Sequence, residues 1–215
     1  MSLRLESATG IELEARWDGP ERPTVAAVFC HPHPQQGGTM TAPLMEKVTS
    51  VLVDRDIAVL RFNFRGVGTS AGTWDGGVGE VDDVAAAVDA AAQAYPALPL
   101  GIAGWSFGAA TSLRWAARDN STLPWVGLAP PPPTRDGERH LPLAAELSDA
   151  ARLFILGNRD QFATVDAMER YTAEAGGTLH VIKGSDHFFY FREDTVGTLT
   201  ADVLAGVSRP NRPDG

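Results

Sequence analysis

Cysteine is nearly absent: Cys30 stands alone in 215 residues, so no internal disulfide can form and the chain reads as one suited to a reducing interior. Long apolar runs are missing as well. No uninterrupted stretch could span a bilayer, and Met1-Ser2-Leu3-Arg4-Leu5-Glu6 lacks the apolar core of an export signal. The expectation is a cytoplasmic protein with no membrane partner. An excess of positive charge is lacking too. The formal charge is −9 and the pI near 5.0, which argues against nucleic acid or anionic membrane as a partner. The only local basic cluster, in residues 208–213, reads as a frayed terminus. Neither a repeat nor a linker interrupts the chain. With 44% hydrophobic residues, residues 1–215 can bury a substantial core as one domain, and self-association into a homo-oligomer is compatible with that composition.

What is present begins with Gly104-Trp105-Ser106-Phe107-Gly108, which follows the apolar run Leu100-Gly101-Ile102-Ala103 and precedes a helix-like stretch over 109–118. Strand, G-x-S-x-G, helix is the order of a nucleophile elbow. The turn strains the serine backbone, and the two glycines let strand and helix approach. The same geometry aims the N–H groups of the following helix at the serine oxygen. With 22 glycines and ten serines in the chain, the pentapeptide arises by chance about 0.1 times, so the motif alone is suggestive only.

Serine needs a base, and the base needs a third group to hold its tautomer. In chain order the partners of an elbow serine are an acid and then a histidine. Residues 151–156 read as a buried strand ending in Gly157-Asn158-Arg159-Asp160. Residues 179–182 read as a second strand ending in Lys183-Gly184-Ser185-Asp186-His187. Open α/β sheets place their sites at such strand ends, which selects Asp160 and His187 to act with Ser106. Asp186 adjoins His187 and competes for the role of Asp160, although neighbours on a turn generally diverge. His180 lies within a strand pattern and His140 in a charged loop.

A tetrahedral intermediate also needs donors for its oxyanion. One is expected from the backbone N–H of Phe107. The other belongs in the loop after the early strand 25–30, which runs His31-Pro32-His33-Pro34-Gln35-Gln36-Gly37-Gly38-Thr39. Proline has no donor, leaving the N–H groups of His33 and Gln35, with His33 preferred.

Two other chemistries are weighed and set aside. Cys30, His31 and His33 are of metal-ligating types, yet no C-x-x-C or H-E-x-x-H accompanies them, and no metal is expected. Arg65-Gly66-Val67-Gly68-Thr69-Ser70-Ala71-Gly72 approximates a dinucleotide fingerprint with one residue too many before its last glycine. Turn-like residues follow it where a helix is required, so no nicotinamide and no other cofactor is expected.

Taken together, His31-Pro32-His33-Pro34 with Gly37-Gly38-Thr39-Met40, Phe62-Asn63-Phe64-Arg65-Gly66-Val67-Gly68, the serine pentapeptide, Gly157-Asn158-Arg159-Asp160 and Asp186-His187-Phe188-Phe189 resemble the α/β-hydrolase superfamily. Within it they are similar to small lidless bacterial hydrolases, and the blocks span most of the chain. The resemblance implies a mainly parallel sheet of about eight strands with helices on both faces and no substantial lid domain. It also supports Ser106, Asp160 and His187 as a triad. By similarity to histidine-glycine-x-proline loops, it gives the second oxyanion N–H to His33, with Pro32 standing where glycine is usual.

The local patterns agree with that architecture. Residues 3–6 and 11–15 alternate around Thr9-Gly10 as an antiparallel edge hairpin, while residues 43–54 and 78–95 carry helical spacing. Strands alternating with helices imply a parallel sheet. Between the strand 125–129 and the strand near Arg152 there is room for a proline-rich loop over 130–133 and one short helix near 142–148. The site should therefore be shallow, with Trp74, Trp105, Phe162 and Phe188, together with Phe189, as wall residues. These features lead to a carboxylesterase-like serine hydrolase acting on a small-molecule ester or acyl substrate, with thioesters or small amides open to the same machinery. A non-catalytic scaffold that binds a ligand is the alternative from another class.

Overall fold

A computed structural model describes residues 2–135 and 138–206, and the basic tail at 208–213 lies outside them. The chain opens with β1 (Ser2–Glu6) and β2 (Glu12–Asp18), an antiparallel pair with Leu5 opposite Leu13. It continues through β3 (Val25–Cys30), α1 (Pro43–Val53), β4 (Ile57–Phe62), α2 (Glu80–Ala94), β5 (Leu100–Trp105), α3 (Phe107–Arg118) and β6 (Trp125–Leu128). A small hairpin of β7 (Thr134–Arg135) and β8 (Glu138–Arg139) leads to β9 (Arg152–Gly157), α4 (Val165–Glu174), β10 (Thr178–Ile182) and α5 (Glu193–Leu204). Eight strands form one sheet in the order β1-β2-β4-β3-β5-β6-β9-β10, parallel from β4 to β10, with β2 antiparallel to β1 and to β4.

The largely apolar strands follow from being covered on both faces. Every residue of β3, β4 and β9 is buried. Along β3, Val28 and Cys30 join the core beneath α2, α3 and α4, whereas Val25, Ala27 and Phe29 join the core beneath α1 and α5, as a period of two requires. Gly197 lets α5 lie close on α1: a Cβ there would come within 2.7 Å of Val51. Helix ends follow their local chemistry. Pro43 opens α1 in the first turn, and Glu80, Asp82 and Asp83 place negative charge at the N-terminus of α2.

One expected element is replaced. Residues 142–148 form only a three-residue 3-10 turn, Ala144–Glu146, whose Glu146 side chain accepts the Leu143 N–H at 2.7 Å. A segment this short cannot support the costly nucleus of an α-helix, and a side-chain cap completes the single turn instead. The β7–β8 hairpin in the same connection was not anticipated.

Candidate active site

The C-terminal ends of β3, β5, β9 and β10 converge on one edge of the sheet. At the end of β5 the chain turns sharply into α3, and Ser106 adopts φ 53°, ψ −114°. A side chain in the left-handed region costs on the order of 1–3 kcal/mol and persists only where its surroundings impose it. They do so here. The Ser106 N–H donates to Leu128 O at 2.8 Å, and its carbonyl accepts from Ala110 N at 3.1 Å. A Cβ on Gly104 would overlap the Gly108 backbone, and one on Gly108 would overlap the Cys30 and His31 carbonyls, so β5, α3 and the end of β3 touch through bare backbone. Serine at a helix N-cap ordinarily spends its oxygen on a backbone N–H. Ser106 makes no such cap and no other side-chain hydrogen bond among the described residues, so its hydroxyl is left to the site.

The turns after β9 and β10 are joined to each other. Arg159 N donates to Ser185 O at 2.9 Å, Gly184 N to Asn158 Oδ1 at 2.6 Å, and Asn158 N to Ile182 O at 3.1 Å. Gly157 permits this approach, since a Cβ would overlap the Ser185 and Asp186 carbonyls. The result is a buried pair in which His187 Nδ1 lies 2.8 Å from Asp160 Oδ2. The other carboxylate oxygen, Oδ1, accepts from Phe162 N at 2.7 Å and Ala163 N at 3.0 Å. With three donors on it and no exposed side-chain surface, the Asp160 carboxylate keeps one oxygen for the imidazole. That fixes the Nδ1–H tautomer and leaves Nε2 as the acceptor. The competing carboxylate is occupied locally, with Asp186 Oδ1 accepting from Phe188 N at 3.0 Å. Behind the pair, Trp105 Nε1 donates to the His187 carbonyl at 3.2 Å and so ties the end of β5 to the histidine loop.

The two candidate N–H groups in the loop after β3 differ in their partners. Gln35 N donates to His33 Nδ1 at 3.2 Å, so it is spent within the turn. The N–H of His33 and that of Phe107, the first of α3, donate to no other group among the described residues. The rings of these two residues lie 5.3 Å apart, and Trp74 packs on both, at 4.8 Å from His33 and 5.1 Å from Phe107. Burial lowers the pKa of His33, which favours the neutral ring that accepts from Gln35.

His31, indistinguishable from His33 in the sequence pattern, is fully buried and structural. Its Nδ1–H donates to Pro32 O at 2.7 Å, and Nε2 accepts from Phe64 N at 3.0 Å. Burial pushes its pKa down to about 4. The ring thus binds the donor loop to the stretch after β4. That stretch has its own bracing: Asn63 Oδ1 accepts from Met40 N at 2.8 Å, and Arg65 forms a buried pair with Asp83 at 2.7 Å. Asn63 and Phe64, just before the glycine-rich stretch, thus brace the loop that carries His33. Burial also raises the Cys30 thiol, keeping it protonated.

Among the wall residues, Trp105 is buried in the core behind His187 and supports that loop from beneath, and Phe189 is fully buried. Phe162 and Phe188 are exposed beside the His187 ring, at 4.6 and 5.5 Å.

Residues 25–209 match the model of the alpha/beta hydrolase domain. The chain belongs to that family. An uncharacterized protein of Rickettsia prowazekii (strain Madrid E) is 30% identical over 186 residues, covering 83% of this chain and 77% of the relative. XC6422 of Xanthomonas campestris, described as an α/β serine hydrolase without lid, is 32% identical with a TM-score of 0.82 over 99% of this chain and 96% of its own. An α/β serine hydrolase homologue from Coxiella burnetii is 27% identical with a TM-score of 0.81 over 94% and 95% of the two chains. As in the structure described as lidless, no lid domain stands over this hydrolase among the described residues: the connection from β6 to β9 holds only the small hairpin and the 3-10 turn. Among the described residues, no helix is long and apolar enough to cross a membrane.

Proposed function

We propose that this hydrolase cleaves small esters or related acyl compounds through an acyl-enzyme on Ser106. The observation that carries the reading is the Asp160–His187 pair, buried and 2.8 Å apart, on the same sheet edge as a serine held in a strained elbow with its hydroxyl unspent. Binding a ligand would require neither the strain nor the oriented imidazole. In this reading His187 Nε2 takes the Ser106 proton as Oγ attacks the carbonyl, and Asp160 stabilises the imidazolium that results. The developing oxyanion is received by the N–H groups of Phe107 and His33, helped by the positive end of α3, whose first turn contains no acidic residue. Protonation of the leaving group by His187 releases the alcohol. Water, deprotonated by the same nitrogen, then frees the acid. Hydrogen bonds between nucleophile and base commonly tighten only in the substrate complex, which suits an unspent Ser106 hydroxyl.

Incubation with a fluorophosphonate followed by intact-mass and peptide analysis tests this directly. The expected result is one adduct, on Ser106, with loss of ester hydrolysis in proportion to labelling. A protein that hydrolyses esters but takes the label elsewhere, or not at all, would overturn the assignment.

A further inference from the structure

Three aromatic side chains on the outside of the candidate site are open to solvent, and Phe191, next in the chain after Tyr190, is also exposed. Phe162 is 42% exposed, Phe188 36% and Tyr190 61%. They form a continuous set: Phe162 meets the His187 ring edge-on at 4.6 Å, Phe188 meets it at 5.5 Å, and Tyr190 stacks on Phe188 at 5.7 Å with 25° between the planes. Folding alone does not call for this, since exposed aromatic surface forgoes the burial that makes such residues stabilising.

The backbone is bent to produce the display. Phe189, at φ 55°, and Phe191, at φ 62°, occupy the left-handed region, which is rare and strained for bulky side chains. The bend sends Phe189 fully into the core as an anchor and turns its neighbours Phe188 and Tyr190 outward together. Bonds from Phe188 N to Asp186 Oδ1 at 3.0 Å and from Arg192 N to Phe189 O at 2.9 Å hold it in place. Phe162 is fixed from the other side, because its N–H is one of the donors to the Asp160 carboxylate. Two left-handed residues within the five that follow His187, together with solvent-facing rings registered to the imidazole, mark a recognition surface.

We infer that Phe162, Phe188 and Tyr190 form a subsite for a planar aromatic ring carried by the substrate, which makes this an esterase selective for aryl-bearing esters. The inference rests on the proposed esterase function. The three rings are exposed and adjoin the imidazole, Tyr190 through Phe188. A flexible aliphatic chain would gain little area on them, whereas a ring can add an offset stack or an edge contact to the set already present. The ring can arrive on either the acyl or the alcohol side of the ester, and the chemistry of recognition is the same for both.

Matched pairs of substrates test it: ethyl phenylacetate against ethyl cyclohexylacetate for the acyl side, and benzyl acetate against cyclohexylmethyl acetate for the alcohol side. Ethyl acetate serves as the ring-free reference. Each pair keeps size and reactivity close while exchanging a planar ring for a puckered one. The wild type should favour the arene in kcat/KM by about three- to tenfold in one arm, and that arm identifies the side. In Phe188→Leu and Tyr190→Leu, which retain an apolar surface, the arene-to-cycloalkane ratio should fall toward one. Because the readout is a ratio within each variant, general damage cancels, and the wild-type ratio stands even if one variant fails to fold. Ratios near one in both arms, or ratios unmoved by the substitutions, would overturn the ring subsite while ethyl acetate turnover left the esterase reading standing. Absence of any turnover and of any fluorophosphonate label would sink the esterase reading instead. In that event, NMR titration with benzyl alcohol and cyclohexylmethanol decides the subsite, with equal binding overturning it and tighter arene binding sustaining it.

Discussion

Acidification should loosen this fold through one side chain, His31. Its Nε2 accepts from Phe64 N at 3.0 Å while its Nδ1–H donates to Pro32 O at 2.7 Å, so a second proton would set N–H against N–H in a fully buried site. Burial, reinforced by the neighbouring His33, brings its pKa from 6.5 to about 4. Because the folded value is the depressed one, the unfolded chain binds the proton first. The stabilising contribution is therefore complete above about pH 6.5 and is lost as the pH falls from there toward 4. At pH 4 the loss amounts to about 3 kcal/mol at 1.36 kcal/mol per pKa unit, a large share of a typical folding free energy. Carboxylates also titrate in that range, so the useful quantity is a difference. Urea unfolding at pH 7 and pH 4 should show the wild type losing about 3 kcal/mol more than His31→Gln, whose amide can accept and donate at any pH. Identical pH dependence in the two proteins would refute the neutral, doubly bonded imidazole.

Two further expectations follow from the site. Asp160→Asn should lower kcat for a short-chain aryl ester by roughly 10⁴ through the wrong imidazole tautomer, whereas Asp186→Asn, which keeps an oxygen to accept from Phe188 N, should cost about tenfold at most; steady-state kinetics on both variants would expose the reverse assignment. With only a small hairpin and a 3-10 turn between β6 and β9 among the described residues, rates on a short-chain ester should saturate below its solubility limit, and kcat/KM should fall for long acyl chains. A sharp rise in rate on emulsion formation, or a preference for long chains, would contradict an open cleft.

Much of this was legible in the residues because the decisive signals are local. An apolar run broken by a turn marks a strand end, so Ser106, Asp160 and His187 could be placed at one sheet edge before any coordinates, and α1 and α2 begin and end within two residues of their helical patterns. What could not be read is long-range. Whether an imidazole is a ligand, a donor or a brace depends on what lies across from it. His31 meets Phe64, 33 residues away, and nothing in His31-Pro32-His33-Pro34 distinguishes it from its neighbour. The partner of Arg65 is Asp83, 18 residues on, which the local pattern around the glycines does not announce. That Gln35 N is spent within its own turn likewise depended on a side chain, His33, bonding back to it. The left-handed Phe189 and Phe191 had no sequence signal, since such backbone normally announces itself with glycine.

The central claim, that Ser106 is an acylated nucleophile served by His187 and Asp160, is tested most directly by Ser106→Ala. The turnover number on a short-chain aryl ester should fall by roughly 10³-fold or more, with the thermal unfolding transition retained and all fluorophosphonate labelling gone. A folded Ser106→Ala protein that kept a tenth of wild-type activity would contradict it.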